Sequence, residues 1–123
     1  MQSADAMALV EDYLDALVAH DYDRIRLLLG EGFRYESPIA CFDGADDYVH
    51  YLMMTAGILR RIERLRAFAD GGDVCHWLRV ETQLSERVST KMVQWTKVAD
   101  GQITAIDVLF DPYRYRLLFD TGG

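Results

Sequence analysis

Along the first twenty residues the apolar positions recur at helical spacing. Ala6, Val10, Tyr13, Leu14, Leu17 and Val18 make one stripe, and Glu11, Asp12 and Asp15 fall mainly on the other side. The spacing predicts a helix over 4–19, with Ser3 as its N-cap and Asp5 in the first turn, where the helix dipole favours an anion. Asp21 then reads as the N-cap of a short second helix that places Ile25, Leu28 and Leu29 on one face and ends at Gly30 or Gly32. Residues 33–38 read as a short strand closed by Pro38, and Phe42-Asp43-Gly44 as a turn. A third helix over 45–59 brings Tyr48, Leu52 and Ala56 to one face, with Asp46 or Asp47 as its cap.

From Arg61 the apolar period shortens to that of strands. Strands are predicted over 61–69, 74–84, 87–99 and 102–110. Asp70-Gly71-Gly72-Asp73, Ser85-Glu86 and Asp100-Gly101 supply the turns between them. Three hairpins in succession make an antiparallel meander. The helices precede it, so the class is α+β with the helices on one face of the sheet. Asp111 before Pro112 caps the turn that follows, and residues 120–123 read as a frayed tail.

Length and composition narrow the function classes. A chain of 123 residues is one domain, and half of it is hydrophobic. Thirteen basic residues against twenty acidic ones leave a net charge of −7, which argues against nucleic acid and against anionic membranes. The two cysteines, Cys41 and Cys75, show no metal-ligand spacing and read as free thiols of a reducing cytoplasm. The opening Met1-Gln2-Ser3-Ala4-Asp5 has neither a basic nor an apolar signal region, so a cytoplasmic location is expected, with no metal and no organic cofactor.

Several short segments carry a family resemblance. They are Tyr13-Leu14-Asp15-Ala16-Leu17, His20-Asp21-Tyr22-Asp23, Glu36-Ser37-Pro38, Gly44 with the helix after it, and the stretch from Asp100-Gly101-Gln102-Ile103 to Phe110-Asp111-Pro112. In order and spacing they resemble the nuclear transport factor 2-like superfamily, in its SnoaL-like, ketosteroid isomerase-related branch. The resemblance covers about residues 6–112 of a single domain spanning 1–123. It implies a cystatin-like α+β fold, a strongly curved antiparallel sheet wrapped as a cone around three N-terminal helices. It also implies an apolar pocket with a few polar groups at its deep end, and a homodimer through the outer sheet face. Members include ketosteroid isomerase, SnoaL-type polyketide cyclases, limonene epoxide hydrolase, scytalone dehydratase and non-catalytic binding proteins, so the fold leaves function open.

The stretch 13–38 aligns with ketosteroid isomerase without a gap. The resemblance places Tyr13 on the oxyanion-hole tyrosine, whose phenol would donate to a developing enolate; the alternative is a core aromatic on the apolar stripe. Ser37 stands where the isomerase has its aspartate base. A serine hydroxyl does not shuttle a proton between carbons at neutral pH without an activating base, so Ser37 bonds either a ligand or its local backbone. Glu36 points to the opposite face.

Gln94 stands at the second oxyanion donor and shares a strand face with Thr90, Met92, Thr96 and Val98. It lines the pocket unless Trp95 is the inward residue. His76 alternates with Val74, Leu78 and Val80, and is either a pocket acid/base or a structural histidine. His20 and His50 have helix-end and helix-surface settings. Asp107 is one residue out of phase for a cyclase acid, since Ile106, Val108 and Phe110 take the inward parity. Arg79 and Asp107 have the residue types of the epoxide hydrolases' arginine and paired aspartates, but Arg79 runs with the outward set Cys75, Trp77 and Glu81.

The expected pocket is therefore lined by Tyr13, Leu17, Phe33, Tyr35, Leu52, Met92, Ile106, Val108 and Phe110, with Tyr13, Ser37, His76 and Gln94 as polar points. Tyr13 and His76 are the catalytic candidates. The expected function is binding of a small hydrophobic molecule, polycyclic or carbonyl-bearing, with isomerase, cyclase or dehydratase chemistry if the protein is an enzyme. The alternative is a non-catalytic binder, or an interaction module that uses the outer sheet with Trp77 and Trp95 as anchors.

Overall fold

The computed structural model describes residues 2–120. Helices α1 (Ser3–Ala19) and α2 (Tyr22–Leu28) precede strands β1 (Leu29–Glu36) and β2 (Cys41–Asp43). Helix α3 (Ala45–Met54) leads into β3 (Leu59–Asp70), β4 (Asp73–Gln83), β5 (Arg87–Ala99) and β6 (Gln102–Leu109), and α4 (Tyr113–Asp120) follows. The strands form one sheet in the order β2-β1-β6-β5-β4-β3. Strands β3 to β6 are the expected antiparallel meander, whereas β1 joins β6 in parallel.

The core lies between α1 and the inner face of the sheet. Ala6, Val10, Tyr13 and Leu14 of α1 and Ile25 of α2 pack on Val74, Leu78, Val98, Ile103 and Ile106. Burial on β4 alternates strictly, with Val74, His76, Leu78, Val80 and Thr82 inward. The register sets His76 beside Gln94 and Leu78 beside Met92 on β5. Asp100 and Gly101 both take positive φ, 53° and 76°, which matches the twist of a tight hairpin.

The element boundaries differ from the sequence expectation for identifiable reasons. Gln2, not Ser3, is the N-cap of α1. Ser3 lies inside the helix, and its Oγ accepts the Gly71 N–H at 2.8 Å, tying the helix start to the β3–β4 turn. Gly30 and Gly32 do not stop α2 but lie within β1. Gly32 (φ 76°) sits where the β1–β6 register shifts, in the manner of a bulge. A Cβ on Gly30 would lie 3.5 Å from the Ile103 carbonyl oxygen and 3.3 Å from the Gln102 side chain, so that position favours the close strand approach.

The expected turn at 42–44 includes the short strand β2, and Gly44, not Asp46 or Asp47, caps α3. That helix stops at Met54, where the Thr55 hydroxyl donates to the Tyr51 carbonyl at 2.9 Å. Strand β3 starts two residues earlier than expected, at Leu59. Helix α4 was not expected. It begins behind Pro112, with the Tyr113 N–H donating to Asp111 Oδ1 at 3.1 Å. Asp120, expected in the tail, is the last residue of α4, and residues 121–123 lie outside the described residues.

Cys41 and Cys75 are unpaired. Among the described residues no cluster suited to a metal ion occurs, and no helix is long and apolar enough to cross a membrane.

The Asp21 cap behaves as the sequence indicates, since its carboxylate accepts the Arg24 N–H at 3.1 Å. Asp21→Ala is expected to cost about 1 kcal/mol in urea unfolding, and Asp21→Asn to keep most of it.

Candidate functional site

A cavity of about 170 Å³ is bounded by β1, α3, the inward positions of β4 and β5, and α4. Met92, Phe110, Ile58 and Leu59 make its apolar wall, and Tyr35, Tyr51, Thr55, Thr82 and Tyr115 bring hydroxyls. Burial pushes the Tyr35 phenol up to about 12, only partly offset by the Ser37 hydroxyl beside it. Burial also raises Tyr51. Both are therefore neutral hydrogen-bonding groups near pH 7. Tyr115 shares hydrogen bonds with Thr82 (2.9 Å) and Thr90 (3.2 Å), and its ring meets Phe110 edge-on at 5.3 Å. The Thr55 hydroxyl is engaged with the helix backbone.

Of the residues expected to line a pocket, Tyr35, Met92 and Phe110 line this cavity. Tyr13, Phe33, Ile106 and Val108 are buried in the core, and Leu17 and Leu52 pack at its margin. Tyr13 and Tyr48 share a hydrogen bond between their hydroxyls, deep inside the protein. Desolvation raises both phenols, Tyr48 especially, and Tyr48 stacks on Tyr35 at 4.5 Å. Tyr13 thus connects to the cavity wall through Tyr48 and the Tyr35 ring stacked on it. Ser37 takes the local-backbone alternative. Its Oγ accepts the N–H groups of Ile39 (3.3 Å) and Ala40 (3.2 Å), which shapes the turn around Pro38. Gln94 is inward and buried, and its Nε2 donates to Thr96 Oγ1 at 3.1 Å.

His76 is fully buried on the inner face, and its Nε2 lies 3.1 Å from Glu11 Oε1. Its Nδ1 is the one buried side-chain polar atom without a partner among the described residues. The reading of Glu11 as outward is corrected here. It sits at the edge of the α1 stripe and turns to the sheet, where Arg64 of β3 hydrogen-bonds it and also reaches Asp15 at 2.7 Å. Burial alone would raise the Glu11 carboxyl, but His76 and Arg64 together hold it below its ordinary value of 4.5.

A depressed folded value stabilises the protein above the unfolded value and loses that contribution as pH falls through the folded one. The Tm gap between wild type and Glu11→Gln is therefore expected to be full above about pH 4.5 and to close at more acid pH. Thermal unfolding across pH 3 to 7 checks this.

Neither Glu11 nor Arg64 was singled out from the sequence. The available signal was the position of Glu11 between the apolar Met7 and Leu14, on the margin of the stripe. The cavity residues Tyr51, Thr82 and Tyr115 were also missed, because they come together only through the sheet and α4.

The outward parity follows the sequence reading. Asp107 is exposed, and Arg79 pairs with Glu63 on the neighbouring strand at 3.0 Å, so Arg79 and Asp107 do not come together on the inner face. His20, at φ 57°, ends α1, and His50 is exposed. The outer face carries Phe68, Trp77, Trp95 and Leu109, each about half exposed or more. Lys97 lies over the Trp95 ring at 5.0 Å, and the Trp95 indole N–H donates to Asp73 at 3.0 Å.

The fold has many solved relatives. An epoxide hydrolase of Mycobacterium tuberculosis resembling limonene epoxide hydrolase superposes with a TM-score of 0.83 at 25% identity, over 96% of this chain and 92% of its own. A ketosteroid isomerase candidate from Kribbella flavida gives 0.75 at 24%, over 89% and 79%. A SnoaL-like polyketide cyclase candidate from Jannaschia gives 0.81 at 15%, over 94% and 92%. No sequence of curated function matches the chain. The family model for the SnoaL-like domain matches residues 10–106, and with the curved six-stranded sheet and its N-terminal helices this places the chain in the SnoaL-like family of the nuclear transport factor 2-like fold.

Proposed function

We propose that this domain binds a small, largely apolar molecule in the cavity between α3, α4 and the inner sheet face. The observation that carries the reading is the lining itself, among the described residues an apolar wall interrupted by hydroxyls, with burial holding those of Tyr35 and Tyr51 neutral. Such groups orient a ligand without moving its protons at neutral pH. Size selects the ligand. The cavity of about 170 Å³ is close to the ~150 Å³ engineered cavities that accept benzene, so it suits one ring, not a steroid. Two unpaired thiols agree with a reducing cytoplasm as its location.

A second reading, acid–base chemistry of the isomerase, cyclase or dehydratase kind, draws on His76. Its Nε2 is oriented by Glu11 and its Nδ1 has no partner. It requires a ligand that reaches past the cavity floor, with Tyr13 as a second polar contact. Under this reading His76→Phe abolishes turnover and leaves binding intact.

Thermal unfolding with single-ring phenols, monoterpenoids, steroids and fatty acids tests the main reading. A single-ring ligand at 100 times its Kd is expected to add about 2.7 kcal/mol, and Met92→Trp, which fills the cavity, to cancel the gain. Absence of any shift from single-ring compounds would overturn it.

The exposed aromatic outer face further supports a homodimer, with Trp77 and Trp95 at its centre. Trp95→Ala is expected to shift sedimentation towards monomer; a wild type that sediments as a monomer at micromolar concentration would refute this.

A further inference from the structure

At the cavity wall one polar subsite, made by the lining residue Thr82 and by Thr90 behind Tyr115, is already filled by the protein itself. Thr82 and Thr90 lie on the inward parity of adjacent strands, two hydroxyls among Leu78, Val80, Val88 and Met92 at one end of the face, apart from His76, Gln94 and Thr96 at the other. The phenol of Tyr115 reaches both, at 2.9 and 3.2 Å, and is 6% exposed. Its neighbours in the first turn of α4 do not share this burial. Tyr113 is 65% exposed, and Arg114 and Arg116 are exposed, with Arg114 paired to Glu86 at the surface. Within that turn, a single aromatic ring with its hydroxyl enters the cavity wall.

Building on the proposed ligand-binding cavity, we propose that the Thr82–Thr90 pair is a recognition site for the hydroxyl of a phenolic ligand. In the unliganded protein Tyr115 occupies it as a resident stand-in. A ligand phenol replaces the Tyr115 phenol bond for bond, so the exchange leaves no threonine hydroxyl unsatisfied. An apolar ring without a hydroxyl leaves Thr90 without its partner and Thr82 with only a long bond to the Val88 carbonyl (3.5 Å), and is disfavoured at this subsite. Departure of the Tyr115 ring enlarges the cavity by one more ring, so the full site takes a two-ring phenol. In this exchange α4 would swing with the ring about the Asp111-Pro112 segment that joins it to the sheet.

The test uses 2-naphthol and naphthalene with wild type, Tyr115→Ala and Tyr115→Phe. In wild type, saturating 2-naphthol is expected to speed tryptic cleavage at Arg114 and Arg116 several-fold, and naphthalene to leave it unchanged. By calorimetry Tyr115→Ala binds 2-naphthol tenfold or more tighter than wild type, because no resident ring must leave. Tyr115→Phe, which keeps the packing, binds it a few-fold tighter. In Thr82→Val the preference for 2-naphthol over naphthalene disappears.

Equal affinity in all three proteins with unchanged cleavage would overturn the displacement. If single-ring compounds still stabilise wild type and Met92→Trp cancels that, the cavity stands and only the displacement fails. If neither single-ring compounds nor 2-naphthol bind any of the proteins, both readings fall.

Discussion

Phe33→Ala is expected to lower the unfolding free energy by about 3–5 kcal/mol, read as a fall in the urea midpoint at unchanged slope. The ring is completely buried at the inward side of β1 and lies 5.3 Å from Tyr48. Its surroundings are poorly placed to close the gap. Tyr48 is bonded to Tyr13 and stacked on Tyr35, and the Phe33 carbonyl accepts the Gly44 N–H at 2.7 Å, which fixes the start of α3. A domain of this kind has about 5–15 kcal/mol in total, so the variant would be near the edge of folding at 37 °C. Leu27, 70% exposed, is the control, and Leu27→Ala is expected to change stability by less than about 0.5 kcal/mol. A Phe33→Ala loss below about 1.5 kcal/mol would show that α3 and β1 can close on the vacancy.

The Tyr13–Tyr48 pair yields the second large effect, and its signature is non-additivity. Each hydroxyl is the other's partner in a dry setting. Tyr13→Phe strands the Tyr48 hydroxyl, and Tyr48→Phe strands that of Tyr13, at about 1–3 kcal/mol each. The double variant removes both polar groups and leaves the ring packing, so it is expected to return close to wild-type stability. The coupling across the cycle is then about as large as the two single losses combined. Additive losses in the double variant would mean that each phenol has a separate partner. A ligand that contacts Tyr13 directly would also bind less well to the double variant, although the fold is restored.

The parts that were legible in the sequence share one property: their pattern is local. The period-two alternation of 74–82 and 88–98 pointed His76 inward and Trp77 outward and left Gln94 or Trp95 as the inward residue; in the packed sheet His76 and Gln94 are inward and both tryptophans outward. Asp107 is outward for the same reason, because a strand offers only two faces. The parts that were not legible depend on distant partners. Glu11 on a helix reads as a solvated charge until Arg64, 53 residues on, and His76, 65 residues on, are placed against it. Tyr13 has the same appearance as a stripe aromatic whether its hydroxyl meets a ligand or Tyr48. The short, charge-rich α4 carries too few apolar positions in its first turn for periodicity to register, yet it supplies Tyr115 to the cavity. Ser37 shows the opposite limit. A family position suggested a ligand contact, and the local turn claims the hydroxyl.

The parallel pairing of β1 with β6 has a consequence for the birth of the protein. Leu29 lies beside Ile103, so the first long strand waits for the last one to leave the ribosome. At 5–20 residues per second that delay is about 4–15 s. Until then β1 has only the three-residue β2 as a partner, and a two-stranded ribbon of that size is marginal in water. The nascent chain therefore spends seconds with one long edge of β1 unpaired, a natural station for a chaperone. Chains released before Ile103 should be cleared by proteases, not accumulate as half-folded domains.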